Sequence, residues 1–319
     1  MDEWRGVLTF DTLGRVLTTP SHYAYLKIAE GCDRSCSYCA IPLIRGPHVS
    51  VPMEHLVEEA RGLAASGVKE LIIIAQDTTY YGLDLYHRRA LAELLGRLAG
   101  IDGIEWIRLH YSYPAGFPDD VLRVMADNPK ICPYIDIPLQ HINSRILSSM
   151  QRGIDREGTL RLLDTFRCKL PDAAIRTTLI VGYPSEMEQE FEELKEFVRT
   201  ARFDRMGCFA YSPEEGTPAE PLGDPVPEEE KQRRVSELMA VQEQISLEKN
   251  QARVGKVYRC LIDRCEGSHL VARTEYDSPE VDDEVLIDIE TAKGCPMPGD
   301  FVDVRITQAM ENDLIGVMA

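Results

Sequence analysis

Three cysteines, Cys32, Cys36 and Cys39, fall within GCDRSCSYCAIP at a C-x3-C-x2-C spacing, with Tyr38 just before the last thiol. Two thiols make a disulfide, and four close a structural zinc tetrahedron, typically as paired C-x2-C units. A set of three does neither, and His48 and His55 stand at spacings unsuited to a fourth ligand. A cubane iron–sulfur cluster has four irons, so three thiolates leave one iron open to a small molecule. Gaps of three and two residues let one short loop wrap its sulfurs around a corner of such a cluster. Three unrelated buried thiols are the competing reading, and so tight a triplet disfavours it. Among the other six cysteines, Cys260 and Cys265 form the only close pair, which is weak ground for a metal site. Cys132, before a proline, and Cys208, in an apolar run, read as small buried hydrophobes.

The triplet needs a scaffold. From Tyr23 to Ser212 the chain alternates short apolar runs with amphipathic stretches; the runs are YAYLKIA, ELIIIAQ, IEWIRLH, YIDIPLQ, AIRTTLIVG and RMGCFAY. Between them, Leu91, Leu94, Leu95 and Leu98 keep helical spacing, as do Phe191, Leu194, Phe197 and Val198. Continuous apolar strands alternating with helices predict parallel βαβ units covered on both faces. Six of them predict an α/β fold, an open or partial (β/α)6 barrel. Chemistry in such folds gathers at the carboxyl ends of the strands. The residues there are Cys32, Gln76 and Asp77, His110 and Tyr111, Gln140 and His141, Gly182 to Pro184, and Tyr211 and Ser212. Any one of them reads equally as an ordinary turn; their convergence on one rim gives the set its weight.

Downstream, PEEGTPAEPLGDPVPEEEK, from Pro213 to Lys231, has the proline, glycine and acid content of a linker, and a helix is expected to follow through Asn250. From Arg253 the period changes to two, as in FVDVRITQ, with further strand candidates KVYRCLID, HLVART and EVLIDI. This predicts a small antiparallel β-barrel of about five strands. The expected divisions are residues 23–225 for the partial barrel, 226–252 for a connecting helix and 253–319 for the small barrel.

The 319 residues are 44% apolar and 28% charged, ordinary for a soluble chain, with a formal net charge of −18. No apolar run is long enough to cross a bilayer, and the start, MDEWRGVLTF, is acidic and unlike a signal peptide. The expectation is a cytoplasmic, reducing location without membrane contact, where thiols serve as metal ligands or buried groups rather than disulfides. So acidic a chain repels phosphate backbones at long range and attracts basic partners.

The triplet, in the loop after the first strand of a partial barrel, resembles the radical S-adenosylmethionine (SAM) superfamily. YAYLKIAEGCDRSCSYCAIPLIRG, AQDTTYYG, LHYSYP, DIPLQH and RTTLIVGYP together resemble the methylthiotransferases, and among them the RimO type, which modifies an aspartate of a small-subunit ribosomal protein. The terminal barrel is similar to a TRAM domain, and the likeness runs from about Val16 to the C-terminus. The resemblance implies that Cys32, Cys36 and Cys39 bind a 4Fe–4S cluster whose open iron chelates SAM for one-electron cleavage. It further implies Tyr38 near the adenine, Gln140 at the ribose, Arg176 at the SAM carboxylate, Val181 and Gly182 along the adenine slot, and Gln76 at the methionine end. Each of these six reads as well as plain rim packing. The implied partners are a basic small-subunit ribosomal protein and a one-electron reductant such as flavodoxin or ferredoxin.

The family usually carries a further domain before the barrel, whose three cysteines hold a second 4Fe–4S cluster. Here 31 residues precede Cys32 and none is cysteine, so that domain is expected to be lacking, with residues 1–22 a remnant of the interdomain linker. SAM cleavage without methylthio transfer is the corresponding expectation. A rival within the same chemistry is the tRNA adenosine methylthiotransferase. AQDTTYYG and ARTEYDSPEVDDEVLI fit the ribosomal-protein branch instead, and the terminal barrel, with seven Lys plus Arg against fourteen Asp plus Glu, is poorly suited to tRNA. A third reading is a non-catalytic ribosome-binding remnant, against which the retained triplet speaks.

Overall fold

Runs as continuously apolar as ELIIIAQ must be covered on both faces, and the computed structural model, which describes residues 17–292 and 294–319, shows how. The strands of the first part are β1 (Tyr23–Lys27), the short β2 (Ala29–Glu30) and β3 (Val49–Ser50), β4 (Glu70–Ile74), β5 (Trp106–Leu109), β6 (Tyr134–Asp136), β7 (Ala174–Val181) and β8 (Arg205–Ala210). Six of them are parallel and follow sequence order, in two three-stranded sheets, β1-β4-β5 and β6-β7-β8. The sheets join where Ser112 N donates to Asp136 O at 2.9 Å and Ile107 bridges Ile131. Among the described residues β1 and β8 do not pair, so the barrel is open, as the six runs predict. Its outer layer holds α1 (Ile41–Arg45), α2 (Met53–Ala65), α3 (Leu83–Tyr86), α4 (Leu91–Ala99), α5 (Asp119–Asp127), α6 (Ser144–Ser149), α7 (Arg156–Lys169), α8 (Glu188–Ala201) and α9 (Glu228–Gln251). The leucines of α4 and the Phe191, Leu194, Phe197, Val198 face of α8 are buried in one continuous core.

The helix α9 is more than a connection. It lies on β8 and α8, burying Leu238 and Ile245 in the barrel core, and Gln242 Nε2 donates to Phe203 O at 3.0 Å. An edge strand such as β8 needs its outer face covered, and α9 supplies that cover. The linker-like text before it is pinned as well: Ala219 is buried and its N donates to Ser37 O at 2.8 Å. Residues 1–16, most of the expected linker remnant, lie outside the described residues.

The terminal strands β9 (Val257–Glu266), β10 (His269–Thr274), β11 (Glu284–Asp288), β12 (Phe301–Ala309) and β13 (Asp313–Met318) close in the order β10-β11-β13-β12-β9. The barrel is not wholly antiparallel, because β11 and β13 run parallel. Sequence patterning did not separate β13, DLIGVM, whose glycine interrupts the apolar run. Cys260 is buried in this core while Cys265 is exposed, so the close pair is split.

The segment 275–283, EYDSPEVDD, leaves the small barrel and enters the open interior of the large one from the amino-terminal ends of its strands. Together with Arg273, at the end of β10, it meets one residue from each of the six strands. Tyr23 Oη donates to Glu280 at 3.0 Å, and Arg108 Nη1 to Glu275 O at 2.8 Å. Tyr134 Oη donates to Asp282 at 2.6 Å, and Arg176 Nε lies 3.6 Å from Asp282. Arg205 pairs with Asp277 and Asp283. Glu70 takes both Arg108 and Arg273 at 2.8 Å. Burial alone would raise the Glu70 carboxyl, but the Arg273 and Arg108 guanidiniums outweigh it and hold it below the usual carboxylate range.

This inward turn revises the reading of the terminal barrel's charge. Asp263, Asp277, Asp282 and Asp283 are committed to arginines inside the protein. The exposed described carboxylates there are Glu266, Glu280, Glu290, Asp300, Asp303 and Glu311, against four exposed cations, Lys256, Arg259, Arg264 and Arg305. The outer surface is therefore only mildly acidic.

Removing one partner of a fully buried ion pair leaves an uncompensated charge, at a cost on the order of 3 kcal/mol. Arg273→Met is expected to lower the free energy of unfolding in urea by that measure, seen as a lower midpoint, with the terminal barrel loosening first in hydrogen exchange. An unchanged midpoint would show that the ion pairs do not fasten the two barrels together.

Candidate active site

The cysteine loop, residues 31–48, is pinched at its base by the antiparallel β2–β3 ribbon, which pairs Ala29 with Ser50 and Glu30 with Val49. Gly31 sits at φ +78°, and a Cβ there would fall 2.1 Å from Pro47 O, so only glycine lets the two ends of the loop meet. Cys32 N donates to Gly46 O at 3.1 Å and His48 N to Asp33 at 2.9 Å, closing the base. The middle of the loop is tied to the barrel through Ser37. Its N donates to Met150 O at 3.0 Å, its Oγ to Ser149 O at 2.7 Å, and Tyr183 Oη lies 2.9 Å from that Oγ.

Cys36 is buried, and Cys32 and Cys39 are half-buried. Burial pushes the Cys32 thiol up to about 11 and raises that of Cys39, so this loop holds thiolates only in the presence of cationic charge. Among the described residues no three His, Cys, Asp or Glu side chains converge as one metal ion would require. A cubane would not require such convergence, since each thiolate would take a different iron.

Arginine supplies part of the charge. Arg152, in the turn after α6, is 4% exposed. Its Nη1 lies 3.2 Å from Cys36 Sγ and 3.1 Å from Tyr38 Oη, and its Nη2 donates to Pro138 O. The guanidinium stacks on Tyr113 at 4.4 Å, and Arg34 stacks on the same ring at 3.9 Å. Tyr113 Oη donates to Arg152 O at 2.7 Å and stands 3.8 Å from Cys36 Sγ. Arg34 is neutralised by Asp77 at 2.7 Å, but among the described residues Arg152 has no carboxylate partner, and its Nε is buried without a hydrogen bond. A buried, uncompensated cation is costly. Three thiolates outweigh the doubly positive core of an oxidised 4Fe–4S cluster, so the loaded loop is anionic and fits the site on charge.

Of the expected SAM contacts, the structure brings Tyr38, Gln76 and Gln140 to this rim. Tyr38, within the cysteine loop, packs against the buried cluster of Ile146, Met150, Tyr183 and Tyr211, as does Ile180. Gln140 sits at φ +74°, its backbone tied to Thr178 O and Ile180 N at 2.9 and 2.8 Å, while its Oε1 is buried without a partner. Gln76 donates to Glu30 at 2.9 Å and, with Lys27, Ile74, Ala75 and Tyr111, lines a cavity of about 270 Å³.

Three other contacts are placed differently. Arg176 is engaged by Asp136 of β6 at 3.0 Å and by Asp282 of the inserted loop at 3.6 Å, so its fork is shared between the neighbouring strand and that loop. Val181 is fully buried in the outer core, because successive β7 side chains alternate and Arg176, Thr178 and Ile180 are the ones facing the interior. Gly182, at φ +73°, makes room for Lys231, whose Cγ would lie 2.4 Å from an added Cβ. Phe209, 61% exposed and in register with Ile180, also faces the open side. The Arg34–Tyr113–Arg152 stack was not foreseen, since its members are far apart in sequence and no local motif marks them.

Comparison with known proteins follows the same lines. The radical SAM superfamily model matches residues 26–198 and the TRAM domain model residues 254–318. The ribosomal protein uS12 methylthiotransferase RimO of Flavobacterium johnsoniae is 63% identical over 302 residues, covering 95% of this chain and 69% of that protein. The protein of the same description from Cytophaga hutchinsonii is 55% identical over 303 residues, covering 95% of this chain and 69% of its own length. Among solved structures, the coproporphyrinogen III oxidase HemN of Escherichia coli superposes with a TM-score of 0.52 at 17% identity, over 93% of this chain and 69% of that one. The radical SAM methyltransferase TsrM of Kitasatospora setae gives 0.52 at 15%, over 77% of this chain and 43% of that one. Those two likenesses concern the fold.

The Gly182–Lys231 contact is open to test. Gly182→Ala is expected to destabilise the protein by on the order of 2 kcal/mol through the clash and the positive φ. Lys231→Ala should relieve the clash but not the backbone strain, so the double variant should cost less than the sum of the singles. Strict additivity in thermal unfolding would show that the glycine answers to something other than Lys231.

Proposed function

Because the chain belongs to the RimO family of radical SAM methylthiotransferases, we propose that its residues supply the SAM-cleaving part of an enzyme that methylthiolates an aspartate of ribosomal protein uS12. The site uses a 4Fe–4S cluster and SAM, and we assign the cluster to Cys32, Cys36 and Cys39. The observation that carries the assignment is the loop of three thiols backed by a buried arginine with no carboxylate of its own. When bound, the cluster and SAM supply one-electron cleavage of a sulfonium, with the electron delivered by a reductant such as flavodoxin or ferredoxin.

The protein's own residues then bind, orient and exclude water. Tyr38 and the unpartnered Oε1 of Gln140 are assigned to the adenosine, and Gln76 with its cavity to the methionine portion, on the support of their packing, free acceptor and lining. Arg176 is reassigned from a ligand contact to a tie holding the inserted loop. The interior face of Thr178, Ile180 and Phe209 is left for a peptide side chain. The acidic loop seals the amino-terminal end of the barrel, leaving the carboxyl rim as the way in. A ribosomal-protein substrate supports a cytoplasmic location as part of this proposal; separately, among the described residues no helix is long and apolar enough to cross a membrane. The tRNA-modifying reading is distinguished by binding, since the outer charges of the terminal barrel are mixed rather than strongly acidic.

Reconstituted under anaerobic conditions, the chain is expected to bind about four irons and four sulfides and, with dithionite, to yield 5′-deoxyadenosine and methionine from SAM. Replacing Cys32, Cys36 and Cys39 together by Ala should abolish both the visible absorption and the cleavage, whereas replacing Cys260 and Cys265 should leave them. Zinc bound stoichiometrically in place of iron would overturn the assignment. For the partner, isolated uS12 should bind in preference to a tRNA anticodon stem-loop, with affinity falling as salt is raised. Saturable, tighter binding of the stem-loop would favour the tRNA branch.

A further inference from the structure

Every other fully buried arginine of the interior meets a carboxylate: Arg108 and Arg273 meet Glu70, and Arg205 meets Asp277 and Asp283. Arg152 is the exception among them. Its hydrogen-bonding partners are a carbonyl, a phenol and the sulfur of Cys36, and the nearest ring is already shared with a second guanidinium. A protein that balances its interior charges this carefully leaves one cation facing a thiol. We infer that Arg152 is a positioning residue whose positive charge at Cys36 compensates the anionic cluster and raises its reduction potential.

The inference rests on the assignment of the cluster to this loop. On reduction the cluster takes one electron from the external donor and gains one negative charge, with no bond made or broken in the protein. A fixed cation in a low-dielectric site stabilises that added charge more than it stabilises the oxidised form, so the potential rises. The N–H···S hydrogen bond acts in the same direction by drawing density from the thiolate. Geometry keeps the charge in place. Tyr113 holds the Arg152 carbonyl through its hydroxyl and the guanidinium by stacking, and Arg34 closes the far face of that ring. Arg34 itself is neutralised by Asp77, so Arg152 provides the net positive charge of the pair.

The test compares Arg152→Gln, which keeps an N–H donor without the charge, with Arg152→Lys, which keeps the charge. Iron and sulfide content and the EPR-monitored midpoint potential are measured on reconstituted protein without substrate turnover. Two results support the inference. Either Arg152→Gln retains four irons with a midpoint shifted to more negative values while Arg152→Lys stays nearer the parent, or Arg152→Gln loses the cluster while Arg152→Lys keeps it. Two results overturn it. One is an unshifted midpoint in fully loaded Arg152→Gln; the other is equal loss or equal shift in both variants, which would assign Arg152 a packing role. Failure of the parent chain itself to hold an iron–sulfur cluster would instead count against the assignment of the cysteine loop.

Discussion

The open barrel depends on what fills its amino-terminal end. Six parallel strands that do not close leave charged side chains facing inward; Glu70 with Arg108 and Arg176 with Asp136 balance one another only in part, and among the described residues Arg205 has no carboxylate from the strands at all. The segment 275–283 and Arg273 supply the partners, one strand after another. Such a network is not a strong source of net stability, since desolvating the charges costs nearly what their attraction returns. Its effect is on register: each carboxylate accepts only the seating in which its arginine is opposite. The terminal barrel is thereby fixed to the strands whose far ends carry the cysteine loop and the rim, and it acts as a structural base of the site.

Much of the fold was readable because strand and helix periods are local properties. The six apolar runs all became strands, and the leucine spacing of α4 and the Phe191 face of α8 marked true core faces. The thiol triplet was equally local. What the text could not supply was side-chain direction and spatial neighbourhood. Val181 and Ile180 are both apolar, and only the pleat decides that Ile180 faces the interior. Gly182 suited a close approach of backbone to something, but the neighbour is Lys231 from a helix 49 positions later. The segment before α9 has linker composition, yet one buried alanine and one hydrogen bond to the cysteine loop are enough to pin it.

Charge was the property most easily misread. A count gave the terminal barrel seven more acids than bases, and the natural inference was an acidic outer face. The count was right and the location was not, because part of the excess is the counter-charge for arginines of another domain. Net charge per segment describes a surface only when the segment's charged groups face water. The stretch ARTEYDSPEVDDEVLI, which marked the family by resemblance, has a physical reason to be acidic: its Asp282 meets Arg176, and its Asp277 and Asp283 meet Arg205.

The two ends of the barrel treat arginine in opposite ways, and the contrast explains how the site can be both stable and reactive. At the closed end every interior guanidinium is met by protein carboxylates, so that end is complete in the polypeptide alone. At the rim, Arg152 faces the thiol of Cys36 with no carboxylate among the described residues to balance it, and the thiols of Cys32 and Cys39 are raised by burial, the set to which the proposed cluster is assigned. The cost of that unbalanced charge is borne by the scaffold, through Ser37, Gly31 and the β2–β3 ribbon, which hold the loop in place with neutral hydrogen bonds that need no metal. Cluster binding then adds to folding free energy locally, at the loop, rather than being required for the barrel as a whole.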